Sequence, residues 1–145
     1  MVVALYFLHE GGHALVILIY GGTIDSFWVF GLNAHVSAHG GVYTVFGEGL
    51  KHAAGVLLPM LASAVAFLFY KPNAKFAGYH YCYFLTMVSS IFSLLVWLLF
   101  PFFSLFTQMP QSEDVMQFLS VTGTHPLLVS FGALWLVTCQ SYKIG

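Results

Sequence analysis

Charge is what this chain has least of. Asp, Glu, Lys and Arg make up 6% of its 145 residues, against roughly 25% in an average soluble domain. So sparse a set cannot cover a soluble fold, and the bilayer is the expected solvent. The formal net charge is −1 at pH 7, which offers no electrostatic footprint for nucleic acid, and none is expected as a partner. Cysteine is nearly absent: Cys82 and Cys139 each sit in an apolar stretch and read as buried thiols rather than a disulfide. The opening segment lacks the basic start and small-residue cleavage site of a signal peptide, and its His and Glu would spoil an apolar core. No repeat or low-complexity linker divides the chain, and its length suits one domain.

What is present is apolar. The chain is 59% hydrophobic and 18% aromatic, and a spanning helix needs about 20 mostly apolar residues. Four stretches approach that: about 1–20, 50–70, 79–106 and 125–140. Pro101 should break or kink the third, and the fourth is short. Residues 21–49 differ in texture, with paired glycines, β-branched and aromatic residues and patchy alternation. They read as short strands or a hairpin with Gly40 and Gly41 at a turn. Being apolar, this region should lie against the membrane, its backbone paired internally or with protein because lipid offers no hydrogen bonds. The expected fold is an α-helical polytopic membrane protein of about four segments, with a small membrane-associated β-hairpin region after the first.

The first segment carries "FLHEGGHAL", residues 7–15. On a helix, His9 and His13 lie one turn apart on one face and can reach one Zn²⁺, with Glu10 beside them. That is the HExxH arrangement, two ligands plus a carboxylate that takes a proton from metal-bound water. Zinc lowers the pKa of such water toward about 7. Charged groups at mid-membrane cost roughly 2.5–3.5 kcal/mol on insertion scales, so those that persist there are usually functional. The alternative is a pair of histidines bonding backbone carbonyls of neighbouring helices. Gly11 and Gly12 each weaken helix propensity by about 1 kcal/mol and permit close approach of a neighbour.

A catalytic zinc takes a third protein ligand and an open position. The other carboxylates are Asp25, Glu48, Glu113 and Asp114. Asp25 reads as ending a turn, and Glu48, flanked by glycines, as interfacial. The "SEDV" pair follows the third segment, where a chain can dip back to a buried site, so Asp114 is the expected ligand and Glu113 the second choice. The competing reading is a short helix capped by Ser112, with both acids near its positive end. His35 and His39 share the HxxxH spacing of membrane di-iron desaturases, but no further box with adjacent histidines follows. They read as interfacial or substrate-proximal. His52, His80 and His125 each stand at a segment end, where histidine is ordinary, and nothing in their spacing asks for haem.

In order, these features resemble the site-2 protease family of intramembrane zinc metalloproteases. "HEGGHAL" is similar to the HExxHAL-type start of that family's first core helix. "GGTIDSFWVFG…HGGVYT" is similar to its membrane-associated hairpin region, where substrate adds as a strand. "HAAGVLLPMLAS" resembles its AGPxxN segment, with Val56 and Leu57 in the place of the Pro and its successor. "FPFFSLFTQMPQSED" resembles its NxxPxxxLDG segment, without the Asn and the Asp-Gly pair.

The resemblance implies peptide-bond hydrolysis within a bilayer by a zinc-dependent metalloendopeptidase. His9, His13 and Asp114 would hold Zn²⁺ and Glu10 would activate the water. The partners implied are membrane lipid and a transmembrane protein substrate, locally unwound. The hairpin edge from His35 to Tyr43, with His39, Gly40 and Gly41, would bind that substrate by β-augmentation. A multi-pass protein of a bacterial cell membrane is the implied location. The alternative is a noncatalytic metal-binding or interaction protein that retains the fold.

Overall fold

In the computed structural model the described residues form five helices and two strands: α1 (Val2–Ile19), β1 (Gly22–Trp28), β2 (His35–Gly40), α2 (Val45–Leu68), α3 (Ala77–Ser104), α4 (Asp114–Thr122) and α5 (Pro126–Tyr142). The structure describes residues 2–30 and 34–142. Met1, at the head of the first expected segment, and residues 31–33, within the expected hairpin, lie outside that range.

Among the described residues two helices, not four, are long and apolar enough to cross a membrane: α2 with 24 residues and α3 with 28. At about 1.5 Å per residue they reach about 36 and 42 Å, against a hydrocarbon core of about 30 Å. The apolar helices at either end are shorter. After α1, Gly21 takes φ +77° and turns the chain into β1. Ahead of α5, Gly123 ends α4 in the left-handed conformation and Pro126 opens the new helix, the usual asymmetry of the two residues. α2 starts at Val45 rather than near residue 50 because the Thr44 hydroxyl accepts a hydrogen bond from the Gly47 amide (3.1 Å), which caps the helix early. Pro101 does not break α3, which continues to Ser104.

β1 and β2 pair antiparallel, from Gly22 opposite Gly40 to Trp28 opposite His35, with a register shift between Ile24 and Ser26. Asp25 therefore sits at a bulge in β1 rather than ending a turn. Gly40 and Gly41, with φ of +74° and +83°, turn the chain out of the hairpin toward α2. The excursion closes where Tyr20 and Tyr43 stack (5.2 Å between centroids) and the Val42 amide donates to the Tyr20 carbonyl. Phe7 meets Phe27 edge-on at 5.8 Å, which fastens the hairpin to α1.

α2 lies between α1 on one side and α3 and α4 on the other, and α5 packs on α3. The main core sits where α2, α3, α4 and α5 meet, with Ala53, Val56, Leu94, Trp97, Val115 and Leu119 in it. Ser130 on α5 donates to the Leu98 carbonyl of α3 at 3.0 Å, an interhelical bond of the kind favoured where water is scarce. Outward faces are apolar, with Leu61, Leu68, Phe92, Phe131 and Trp135 exposed. Cys82 and Cys139 are free and exposed on those faces rather than buried, because an apolar stretch here has apolar residues on both sides of its helix.

Candidate metal centre

Three short backbone approaches build the site. A Cβ on Gly12 would collide with the Ala54 carbonyl of α2, whereas one on Gly11 would meet only Leu58 at 3.6 Å. The two glycines of HEGGH thus let α1 lie against α2. On α2, a Cβ on Gly55 would stand 2.5 Å from His9 Cε1 and 2.6 Å from His13 Nε2. Only a residue without a side chain leaves room for both imidazoles. On the other flank, a Cβ on Gly49 would stand 2.8 Å from Thr122, so α4 also packs closely on α2. Val115, at 1% exposure, Met116 and Leu119 bury the apolar face of α4, and Trp97 tilts against Phe118 at 5.2 Å. Burying Val115 carries its neighbour Asp114 to the two histidines.

Asp114 Oδ2 lies 3.0 Å from His9 Nε2 and 3.0 Å from His13 Nε2, and the two nitrogens are 3.3 Å apart. These residues form a cluster that can hold a metal ion. Ligand atoms about 2.0–2.1 Å from a tetrahedral ion stand about 3.3 Å from one another, so one side of the triangle has that length and the other two, at 3.0 Å, are slightly shorter. The second ring nitrogen of His13 supports the same reading. His13 Nδ1 is 2.7 Å from the Lys51 carbonyl, which can only accept, so Nδ1 carries hydrogen and Nε2 is the nitrogen turned to Asp114. At 3.0 Å that nitrogen and the carboxylate oxygen share a cation, either the proton of Nε2 or a metal ion that replaces it. Ring orientation by a backbone carbonyl is the usual support of a metal-ligating histidine.

Asp114 itself is held ionised. Burial would raise its pKa, but the His13, His52 and His9 imidazoles facing it outweigh burial and keep the carboxyl well below the ordinary carboxylate range. Its place in the first turn of α4 adds the positive end of that helix. Glu113 occupies the cap position before it and is not in the cluster. The Ser112 cap does not form: α4 has no side-chain cap bond, and the Ser112 carbonyl instead accepts from the Gln117 side chain, through Nε2, at 2.9 Å.

A cavity of about 510 Å³ opens from the cluster, within the range of small-ligand sites. Glu10, 8% exposed, lines it together with His13 and Asp114. Its far wall is β2, through His35, Val36, Ala38 and Gly40. Of the expected substrate-binding positions, His35 and Gly40 line the cavity. His39 instead pairs with Asp25 across the hairpin (2.7 Å) on an exposed face, and Gly41 lies against the Tyr43 ring.

His80 is occupied elsewhere, within reach of Tyr70 Oη (3.0 Å) and the Ala74 carbonyl (2.8 Å). His125 accepts from the Leu127 amide at 3.3 Å. Among the described residues, His9, His13 and Asp114 are the one group of this kind, so the histidines do not assemble a second box.

Sequence alone missed His52. It is 7% exposed, lines the cavity, and places Nδ1 3.8 Å from Asp114 Oδ1 and Nε2 3.6 Å from Glu48 Oε1. The available signal was the EGLKH spacing, which puts Glu48 and His52 on one helical face once Thr44 is recognised as a cap. No family model, curated protein or solved structure matches the chain.

Proposed function

We propose that this chain is an intramembrane zinc metalloprotease, as its resemblance to the site-2 protease family suggests. The observation that carries the reading is the convergence of Asp114 on His9 and His13 from 101 and more residues away, with Glu10 buried in the same cavity. Two imidazoles and one carboxylate leave a fourth position open, the donor set of catalytic rather than structural zinc. When bound, zinc supplies a Lewis acid that polarises a carbonyl and brings the pKa of water toward about 7. Glu10 then serves as general base, three residues from His13 and on the cavity wall. Among the described residues β2 pairs in its sheet with β1 alone, and an extended substrate segment added alongside it would run past the cluster. A helix protects its own carbonyls by hydrogen bonding, so a transmembrane substrate must unwind before it is cut.

The chain is proposed to be embedded in lipid through α2 and α3, with α1 and α5 completing the bundle. The apolar outward faces support this.

Metal analysis of detergent-purified protein tests the centre, and cleavage of a model transmembrane substrate by wild type beside Glu10→Gln tests the chemistry. One zinc per chain with cleavage abolished in Glu10→Gln is the expected result. Zinc without cleavage in wild type would leave a noncatalytic metal-binding protein of the same fold.

A further inference from the structure

Glu48, Lys51, His52 and Gly55 recur at helical spacing on the amino-terminal half of α2, and each serves the centre differently. Gly55 leaves room for the ligands. The Lys51 carbonyl orients His13, while its ammonium bonds the Glu48 carboxylate. Glu48 Oε1 in turn faces His52 Nε2 at 3.6 Å, and His52 Nδ1 faces Asp114 Oδ1 at 3.8 Å.

The geometry points to His52 as the positioning residue for the third ligand: braced by Glu48, it engages Oδ1 of Asp114 so that Oδ2 alone is presented to the ion. This rests on the metal-centre reading above. A carboxylate ligand with both oxygens free can swing or chelate through both, which removes the open position. A polar ring N–H facing the oxygen that does not ligate, here at 3.8 Å and so beyond hydrogen-bond length, opposes this electrostatically. Outer partners of metal ligands typically contribute 10–100-fold in metal affinity. Imidazole suits the task because His52 is packed tightly enough to have little rotational freedom. The ring does not act as a ligand to a second ion, since its two nitrogens face opposite ways, toward Asp114 and toward Glu48.

The test compares wild type, His52→Asn and His52→Leu as full-length protein in detergent. Asn places an amide N–H near the position of Nδ1; Leu fills the space without a donor. Zinc affinity is measured by competition with a chelating dye, coordination by the visible spectrum of the cobalt(II)-loaded protein, and folding by the melting temperature without metal. The expected result is a 10–100-fold loss of zinc affinity and an altered cobalt spectrum in His52→Leu. His52→Asn should stay within a few-fold of wild type with its spectrum kept, at equal metal-free melting temperatures. Wild-type affinity and spectrum in His52→Leu would overturn the proposal, as would equal losses in both variants. Wild type that binds neither zinc nor cobalt would instead refute the metal centre itself, and this inference with it.

Discussion

At the scale of single residues, the three converging atoms of His9, His13 and Asp114 make distinct demands from Glu10. Removing a ligand by His9→Ala, His13→Ala or Asp114→Ala should empty the centre, read as zinc per chain by elemental analysis. Glu10→Gln should keep the zinc and lose cleavage by about 10²–10⁴-fold, the usual worth of a general base. Acidity provides a second residue-scale test. A ligating imidazole must be free of its proton, so zinc affinity should fall on acidification. The depressed carboxyl of Asp114 acts lower down. Its contribution to folding is fully present above the ordinary carboxylate pKa of about 4 and is lost as the pH falls below it. Metal-free wild type should therefore lose more melting temperature on acidification from about pH 5 to about pH 3 than Asp114→Asn does.

At the scale of elements, the centre exists because α1 and α4 both lie close against α2. Gly12 and Gly55 make one approach and Gly49 the other, and the cost of filling each gap differs. Gly12→Ala sets a Cβ against backbone that cannot yield and should destabilise the fold by about 1–3 kcal/mol, measured by thermal or denaturant unfolding. Gly55→Ala meets side chains, so the expected loss is of zinc rather than of fold. Gly11→Ala, which meets only Leu58 at ordinary contact distance, should be tolerated and is the control for both. The same contacts explain why HEGGH was readable at once and the support that α2 gives it was not. A one-turn ligand pair is a local pattern, whereas the supporting face of α2 acquires meaning only from what packs on it.

At the scale of the whole molecule, the balance of apolar surface decides where the chain resides. Membranes washed at alkaline carbonate pH should retain the protein; its release into the wash would count against embedding through α2 and α3. Four of the described helices and the hairpin were visible as apolar runs and a glycine-rich interruption, yet α4 and the count of clear spans were not. Apolarity signals burial in lipid or in protein without distinguishing them, and helix length depends on caps such as Thr44 and turns such as Gly21, which composition barely registers.

The sequence by itself determined the helical class, the place of the strand-like excursion and the His9–Glu10–His13 set, because periodicity and spacing along one helix are local properties of the chain. Only the tertiary structure decided that Asp114 rather than Glu113 meets those histidines, that His35 lines the cavity while His39 turns away to Asp25, and that His52 stands behind Asp114. Adjacent residues on a helix point about 100° apart. Which of two neighbouring acids faces inward is therefore set by the apolar face beside them, here Val115 and Leu119, and by the helix that buries it.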